Sequence, residues 1–272
     1  MKTPAGVTTA VIGDVHGCGD ELRELLTDID RSCGTVALVF VGDLLTKGPA
    51  PHTVVTEILK RRRAGQKITL VCGNHDQRML LALVRMEAGV RPEALPRTER
   101  QCWQILHKKR LVPQATELMV ECNETVELRG VTAGDPQRAW TVVHGGIEPK
   151  LGLARTPDQL KIHIKAEDAE PHWWERYRGD DGLIIVGHKP LLSPMILRKR
   201  DGTPCVVNID TGCAYGNALT AYLPDEDRLI QVPSMQYRGD QYRSLRSADE
   251  SGSTRAIAAR LASAFRIRKP VG

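Results

Sequence analysis

The sequence predicts an α/β protein, an α+β sandwich of two stacked mixed β-sheets flanked by helices. Through the first third of the chain, short apolar runs alternate with helix-period segments at roughly the 30-residue spacing of strand–helix–strand units, which gives a largely parallel sheet. Later apolar runs lie closer together, which favours antiparallel pairing in a second sheet. The 272 residues, 41% hydrophobic and 26% charged, supply one main core and exclude wholesale disorder or a fibrous repeat.

Val7–Ile12, Val36–Val41 and Ile68–Cys72 read as the early strands, each closed by a glycine. Between the first two, Leu22, Leu25, Leu26 and Ile29 fall at i, i+3, i+4 and i+7 on one helical face. Val54, Val55, Ile58 and Leu59 mark the next helix, which ends in Lys60-Arg61-Arg62-Arg63, cations suited to the negative end of a helix dipole. From Asp76 to about Arg110 the pattern is helical again, with Met79, Leu80, Leu83 and Val84, then Cys102, Trp103 and Leu106. A basic, proline-bounded connector, Val90–Arg97, separates these two. Strand signals return at Thr141–Val143, Leu183–Val186, Pro204–Ile209, Ala218–Leu223 and Leu229–Val232. From about Gln236 the composition turns to Arg, Ser and Gly, so residues 1–235 are expected to form the domain, with a helical segment at 76–112 near its site, and 236–272 a basic tail. Within the tail, Ile257, Leu261 and Phe265 at i, i+4 and i+8 predict a helix docked on the same domain.

Composition narrows the function classes. No apolar run approaches the roughly 18 residues of a membrane helix, and a strand-like segment starts almost at once, so neither a span nor a leader is expected. Seven cysteines, at 18, 33, 72, 102, 122, 205 and 213, form no CxxC pair, which argues against a disulfide framework or a zinc module and for reduced thiols in a cytoplasmic compartment. A net charge of +5 suits a polyanionic small molecule without marking a dedicated nucleic-acid-binding module.

The chemistry lies where the strands stop. Val11-Ile12 runs into Gly13-Asp14-Val15-His16-Gly17, Val39-Phe40-Val41 into Gly42-Asp43, and Leu70-Val71-Cys72 into Gly73-Asn74-His75-Asp76. Val142-Val143 leads to His144-Gly145-Gly146, and Ile185-Val186 to Gly187-His188. In an α/β sheet the carboxyl ends of the strands line the ligand crevice, so five strands would deliver carboxylates, an amide and imidazoles to one edge. Asp, Asn and His together suit manganese, iron or zinc. Asp14 and His16, two apart on an extended segment, would point the same way and grip one ion; Asn74, His144 and His188 would grip a second, with Asp43 between. Two cations so placed would activate water and clamp a phosphoryl group for in-line attack. Each motif alone has a plain reading: Gly-Asp is a common turn, a histidine beside glycines a hydrogen-bonded loop residue, Asn74 a left-handed turn residue. Five together, each just after an apolar strand, are not explained that way.

In that order, GDVHG, GDLLTKGP, GNHD, HGG and GH resemble the calcineurin-like metallophosphoesterases, in their phosphoprotein-phosphatase branch, over roughly residues 8–225. Lys47 and the segment Asp210-Thr211-Gly212-Cys213-Ala214-Tyr215-Gly216 are most similar to the ApaH-like phosphatases, relatives of the symmetrical diadenosine tetraphosphatase. The resemblance implies Asp14, His16 and Asp43 as ligands of one metal, Asp43, Asn74, His144 and His188 as ligands of the other, and His75 as the general acid. Manganese is the first candidate for both ions, with iron or zinc as alternatives. Lys47 and Tyr215 are the candidate substrate contacts. Protein phosphatases of this branch carry Asp-Arg where this chain has Thr46-Lys47. Lys47 keeps a point charge but not the planar fork that grips phosphate bidentately, and His75 needs another partner. The implied activity is symmetrical hydrolysis of diadenosine tetraphosphate to two ADP, with phosphoproteins, polyphosphate and capped RNA as alternative substrates, and catalytically silent nucleotide binding as the non-enzyme alternative. The sequence leaves the oligomeric state open.

Overall fold

Three parallel strands, β1 (Thr9–Ile12), β2 (Ala37–Phe40) and β3 (Ile68–Leu70), open the chain in this computed structural model. It describes residues 8–132, 135–164 and 172–250, excluding the side chains of 135–137 and 248–250. The strands are apolar on both faces because both are covered. Ala10 and Ile12 pack with Leu22, Leu25, Leu26 and Ile29 of α1 (Gly19–Cys33), while Val11 faces the opposite way into the space between sheets. Helix α2 (Pro51–Arg63) starts on Pro51, whose missing N–H costs nothing in a first turn, and ends on the four cations expected there.

After β3 come α3 (Asn74–Glu87), α4 (Arg97–Lys108) and α5 (Val112–Asn123), then β4 (Leu128–Thr132), β5 (Asp135–Val142), α6 (Asp158–Ile162), α7 (Trp173–Arg176) and β6 (Leu183–Val186). The chain continues through β7 (Met195–Arg198), β8 (Pro204–Asn208), β9 (Ala218–Leu223), β10 (Arg228–Pro233) and α8 (Asp240–Glu250). One sheet has the order β10-β9-β1-β2-β3, the other β4-β5-β6-β8-β7. Val11, Val39, Val41 and Val71 of the first meet Leu128, Trp140, Val142, Ile185 and Val207 of the second in a shared core. Ile184, Val186 and Val206, on the second sheet's outer face, pack under Trp173 and Trp174.

The two-sheet architecture agrees with the sequence reading, and its details correct parts of it. Antiparallel pairing holds for β4/β5, β7/β8 and β9/β10, but β5, β6 and β8 run parallel, and β9 and β10 extend the first sheet. The long connection carrying α6 and α7 supplies the crossover that parallel β5 and β6 need. The helical run reaches Asn123 rather than stopping near 112, because Pro113 sits in the first turn of α5, where proline begins a helix rather than breaks one. Edge strands β4 and β7 are partly exposed and carry no unbroken apolar run, so the sequence pattern does not mark them. Helix α8 lies within the segment read as a tail, while Ile257, Leu261 and Phe265 lie outside the described residues. Among the described residues, no helix is long and apolar enough to cross a membrane.

Candidate metal centre

The carboxyl ends of β1, β2, β3, β5 and β6 meet at one edge of the sandwich, so both sheets deliver side chains to the same place. The turns there are tight. His16, Asp43, Lys47 and His188 adopt left-handed backbone conformations (φ 48°, 55°, 74° and 69°), which non-glycine residues hold only when their surroundings enforce it. His16 is therefore not on an extended segment, which corrects the expectation that alternation along a strand aims Asp14 and His16 together. The enforcing contacts are hydrogen bonds. The His16 and Gly17 N–H groups donate to the carbonyls of Asp43 and Leu44, each at 2.8 Å. The Asp76 carboxylate accepts the N–H groups of Asp43 (2.7 Å), Leu44 (2.9 Å) and Gly73 (3.0 Å). Glycine is required at 73 and 187, since a Cβ there would collide with the carboxylates of Asp43 and Asp14.

The donor atoms converge. Asp43 Oδ2 lies 3.3 Å from His16 Nε2, and its Oδ1 lies 3.5 Å from His144 Nε2. Asn74 Oδ1 is 3.2 Å from His144 Nε2 and 3.1 Å from His188 Nδ1. The His188 N–H donates to both oxygens of Asp14, at 3.2 and 3.3 Å. Two groups have donors within 4.8 Å of one another, Asp14–Asp43–His144 and His16–Asp43–His75, and Asp43 belongs to both. His144 Nδ1 sits 3.1 Å from the Val41 carbonyl, a bond that requires the proton on Nδ1 and turns Nε2 toward Asp43 and Asn74. All seven residues predicted as ligands or acid are thus brought together. Lys47 stands beside them, its Nζ 2.7 Å from His16 Nε2 and 3.0 Å from the Tyr215 hydroxyl.

Burial and charge set the protonation states. Burial and the Lys47 ammonium hold the His16 imidazole well below its ordinary value; burial and His144 hold His188 down at about 3. Both are neutral near pH 7, the form that offers a lone pair. Burial alone would raise Asp43, but His144 and His16 outweigh it and hold its carboxyl low. Burial would lower His144, yet Asp43 and Asp14 carry it to about 10. Asp14 is pushed up by burial and by the Asp210 carboxylate. Burial lowers His75 to about 4, and its Nδ1 has no hydrogen-bond partner among the described residues. The Thr46 hydroxyl lies 3.4 Å from His16 Nδ1.

Two buried carboxylates of this site went unassigned in the sequence. Asp76 had a usable signal, an acid in the first turn of a helix that begins at two candidate site residues. Asp210 accepts the Gly212 N–H at 3.0 Å and is raised to about 6, chiefly by burial. Cys18, Glu21 and Cys213 form a third group of close donors, although their sequence spacing shows no metal pattern.

The Calcineurin-like phosphoesterase family model matches residues 7–218, well over half of the chain. Among curated proteins, the asymmetrical bis(5'-nucleosyl)-tetraphosphatase PrpE of Halalkalibacterium halodurans is 29% identical over 248 residues, covering 83% of this chain and 94% of its own. The symmetrical bis(5'-nucleosyl)-tetraphosphatase of Janthinobacterium sp. (strain Marseille) is 27% identical over 283 residues, covering 85% and 98%. A crystal structure with a provisional diadenosine tetraphosphatase assignment shares the fold at a TM-score of 0.60 and 24% identity, covering 88% of this chain and 98% of that one. The chain therefore belongs to the calcineurin-like phosphoesterases, a family of hydrolases that use divalent metal ions.

Proposed function

We propose that this chain hydrolyses phosphoanhydrides at a two-cation centre, cutting diadenosine tetraphosphate symmetrically into two ADP. The supporting observation is Asp43, whose two oxygens lie toward His16 on one side and His144 on the other. The donor set fits divalent cations: the Asp14 and Asp43 carboxylates, the Asn74 amide oxygen and the His16, His144 and His188 imidazoles, of which His16 and His188 are held neutral, converge on one edge. Asp14, His16 and Asp43 would hold one ion, and Asp43, Asn74, His144 and His188 the other; manganese suits these oxygen and imidazole donors, with iron or zinc as alternatives. Bound there, the ions supply Lewis-acid polarisation of a phosphoryl oxygen and a water acidic enough to attack at neutral pH.

The chain's own groups do the rest. Asp76 fixes the Asp43 turn through three backbone hydrogen bonds, so the shared carboxylate is placed before substrate arrives. Lys47, aimed by the Tyr215 hydroxyl, adds a cation for charge developing on phosphorus. His75 protonates the leaving oxygen; phosphates beside it raise its basicity from about 4 toward the working range. Relatives named for both cuts, symmetrical and asymmetrical, leave the products to experiment. With manganese, diadenosine tetraphosphate should give ADP alone. AMP with ATP would overturn the symmetrical cut, and faster turnover of a phosphoprotein would overturn the substrate class. A body over residues 1–235, a basic segment over 236–272 and a cytoplasmic location go with this reading.

A further inference from the structure

A groove of about 490 Å³ opens beside the metal centre, within the range of small-molecule sites. One wall is Lys47 and Pro49, the other the flank of α4 with Gln101, Ile105 and Lys108, and Gln236 closes it. It is continuous with the reacting end of the site, because Lys47 lines it and also contacts His16. Both charged lining residues are cationic, and among the described residues no carboxylate lines it, which suits an anionic ligand. Between the lysines are amides, which donate and accept, and the apolar surfaces of Pro49 and Ile105, which suit the face of a flat ring. The amide nitrogen of Gln236 is engaged by Glu21 at 2.8 Å, leaving its oxygen as the acceptor it can offer. The arginines of the 90–110 segment do not line the groove.

The walls are fixed. Glu21, 0% exposed, takes the Met235 N–H (2.9 Å), the Ser234 hydroxyl (3.3 Å) and the Gln236 amide on one oxygen, tying the chain after β10 to α1. Helix α4 is tied to α3 by Arg78–Glu99 at 2.8 Å, and to the Asp43 loop by the Cys102 thiol, 3.5 Å from the Leu45 carbonyl.

We infer that this groove holds the leaving half of the substrate, a nucleoside diphosphate, with its phosphates at Lys47 and its nucleoside between Pro49 and Ile105. The inference rests on the phosphohydrolase reading and adds that nucleotide selectivity lies in α4 and Gln236. The test uses the full, manganese-loaded chain and two readouts. One is the ratio of kcat/KM for diadenosine tetraphosphate to that for p-nitrophenyl phosphate; the other is the calorimetric Kd for ADP. Ile105→Trp, which fills the groove, should lower the ratio about tenfold through KM and weaken ADP about tenfold. Gln101→Ala, at an exposed position, should move both about threefold the same way, and serves if the tryptophan disturbs α4. If the wild type cleaves the dinucleotide and neither variant shifts either readout, the groove assignment fails while the activity stands. If the wild type spares the dinucleotide but the variants still weaken ADP, the groove assignment stands and the substrate reading fails. Reduced phosphopeptide turnover with unchanged ADP affinity would make it a peptide groove and overturn the inference.

Discussion

Asp43 and His75 lie within one donor group, yet their replacement should have opposite signatures. Asp43 faces both imidazole sets, so Asp43→Asn should abolish turnover and strip bound metal together, read by elemental analysis beside phosphate release. Near-full activity in chelator-treated buffer resupplied with manganese would refute the shared-ligand role. His75 contacts that site through its backbone, donating its N–H to Asp43 Oδ1 at 2.9 Å, while its buried Nδ1 has no hydrogen-bond partner among the described residues. His75→Asn keeps that backbone bond. It should cost about 10²–10⁴-fold in kcat with metal content unchanged, the range for a positioned acid. Metal loss in that variant would make His75 a ligand instead.

At the scale of elements, the second sheet's outer strand depends on a tie that no motif announces. Lys161 of α6 is 6% exposed and donates to Glu127, just before β4, at 2.8 Å; Arg129 pairs with the same carboxylate. Glu127→Gln leaves the buried Lys161 ammonium only the longer contact to the exposed Asp158 carboxylate, at 3.5 Å, and should destabilise the fold by about 1 kcal/mol in denaturant titration. Burial would raise the Glu127 carboxyl, but Lys161 and Arg129 outweigh it and hold it below the ordinary glutamate range. Its stabilisation is therefore complete above that range and lost as pH falls through the depressed folded value, so wild type and variant should converge only in acid. A constant gap down to pH 3 would show that the charge is not the cause. The same contrast explains what was legible. Strands β1, β2 and β6 are covered on both faces, and burial on both faces writes itself as an unbroken apolar run. Strand β4 alternates exposed and buried positions, and β7 is only partly covered, so neither gives such a run. In the site, the donors stood out because each follows a strand end at a glycine turn. Asp76 did not, because its work is to accept backbone N–H groups brought together only by folding. The groove joins residues 47, 105 and 236, a conjunction that local periodicity does not record.

At the scale of the whole molecule, the donors divide between the sheets. Asp14, His16, Asp43 and Asn74 follow strands of the first, His144 and His188 strands of the second. Ions held among them would cross-link the two halves of the sandwich at an edge where the shared core of Val11, Val41, Val142 and Ile185 comes to an end. A ligand that binds only the folded chain stabilises it by RT ln(1 + [L]/Kd), about 2.7 kcal/mol per site at a hundredfold excess over Kd. For a chain of this length that corresponds to a rise in Tm on the order of 5–10 °C per site. Calorimetric scans in chelator and in excess manganese should differ by at least that much. Asp43→Asn, which removes the carboxylate common to both donor groups, should lose most of the manganese-dependent increment. In chelator the variant should itself be less stable than wild type, because His144 and His16 hold the Asp43 carboxyl low in the folded chain and the substitution takes that counter-charge from His144; the comparison is therefore of the manganese-dependent increment in each protein. Equal Tm values with and without manganese in the wild type would mean that the two sheets are held by their apolar core alone and that the converging donors do not bind divalent ions in the folded state.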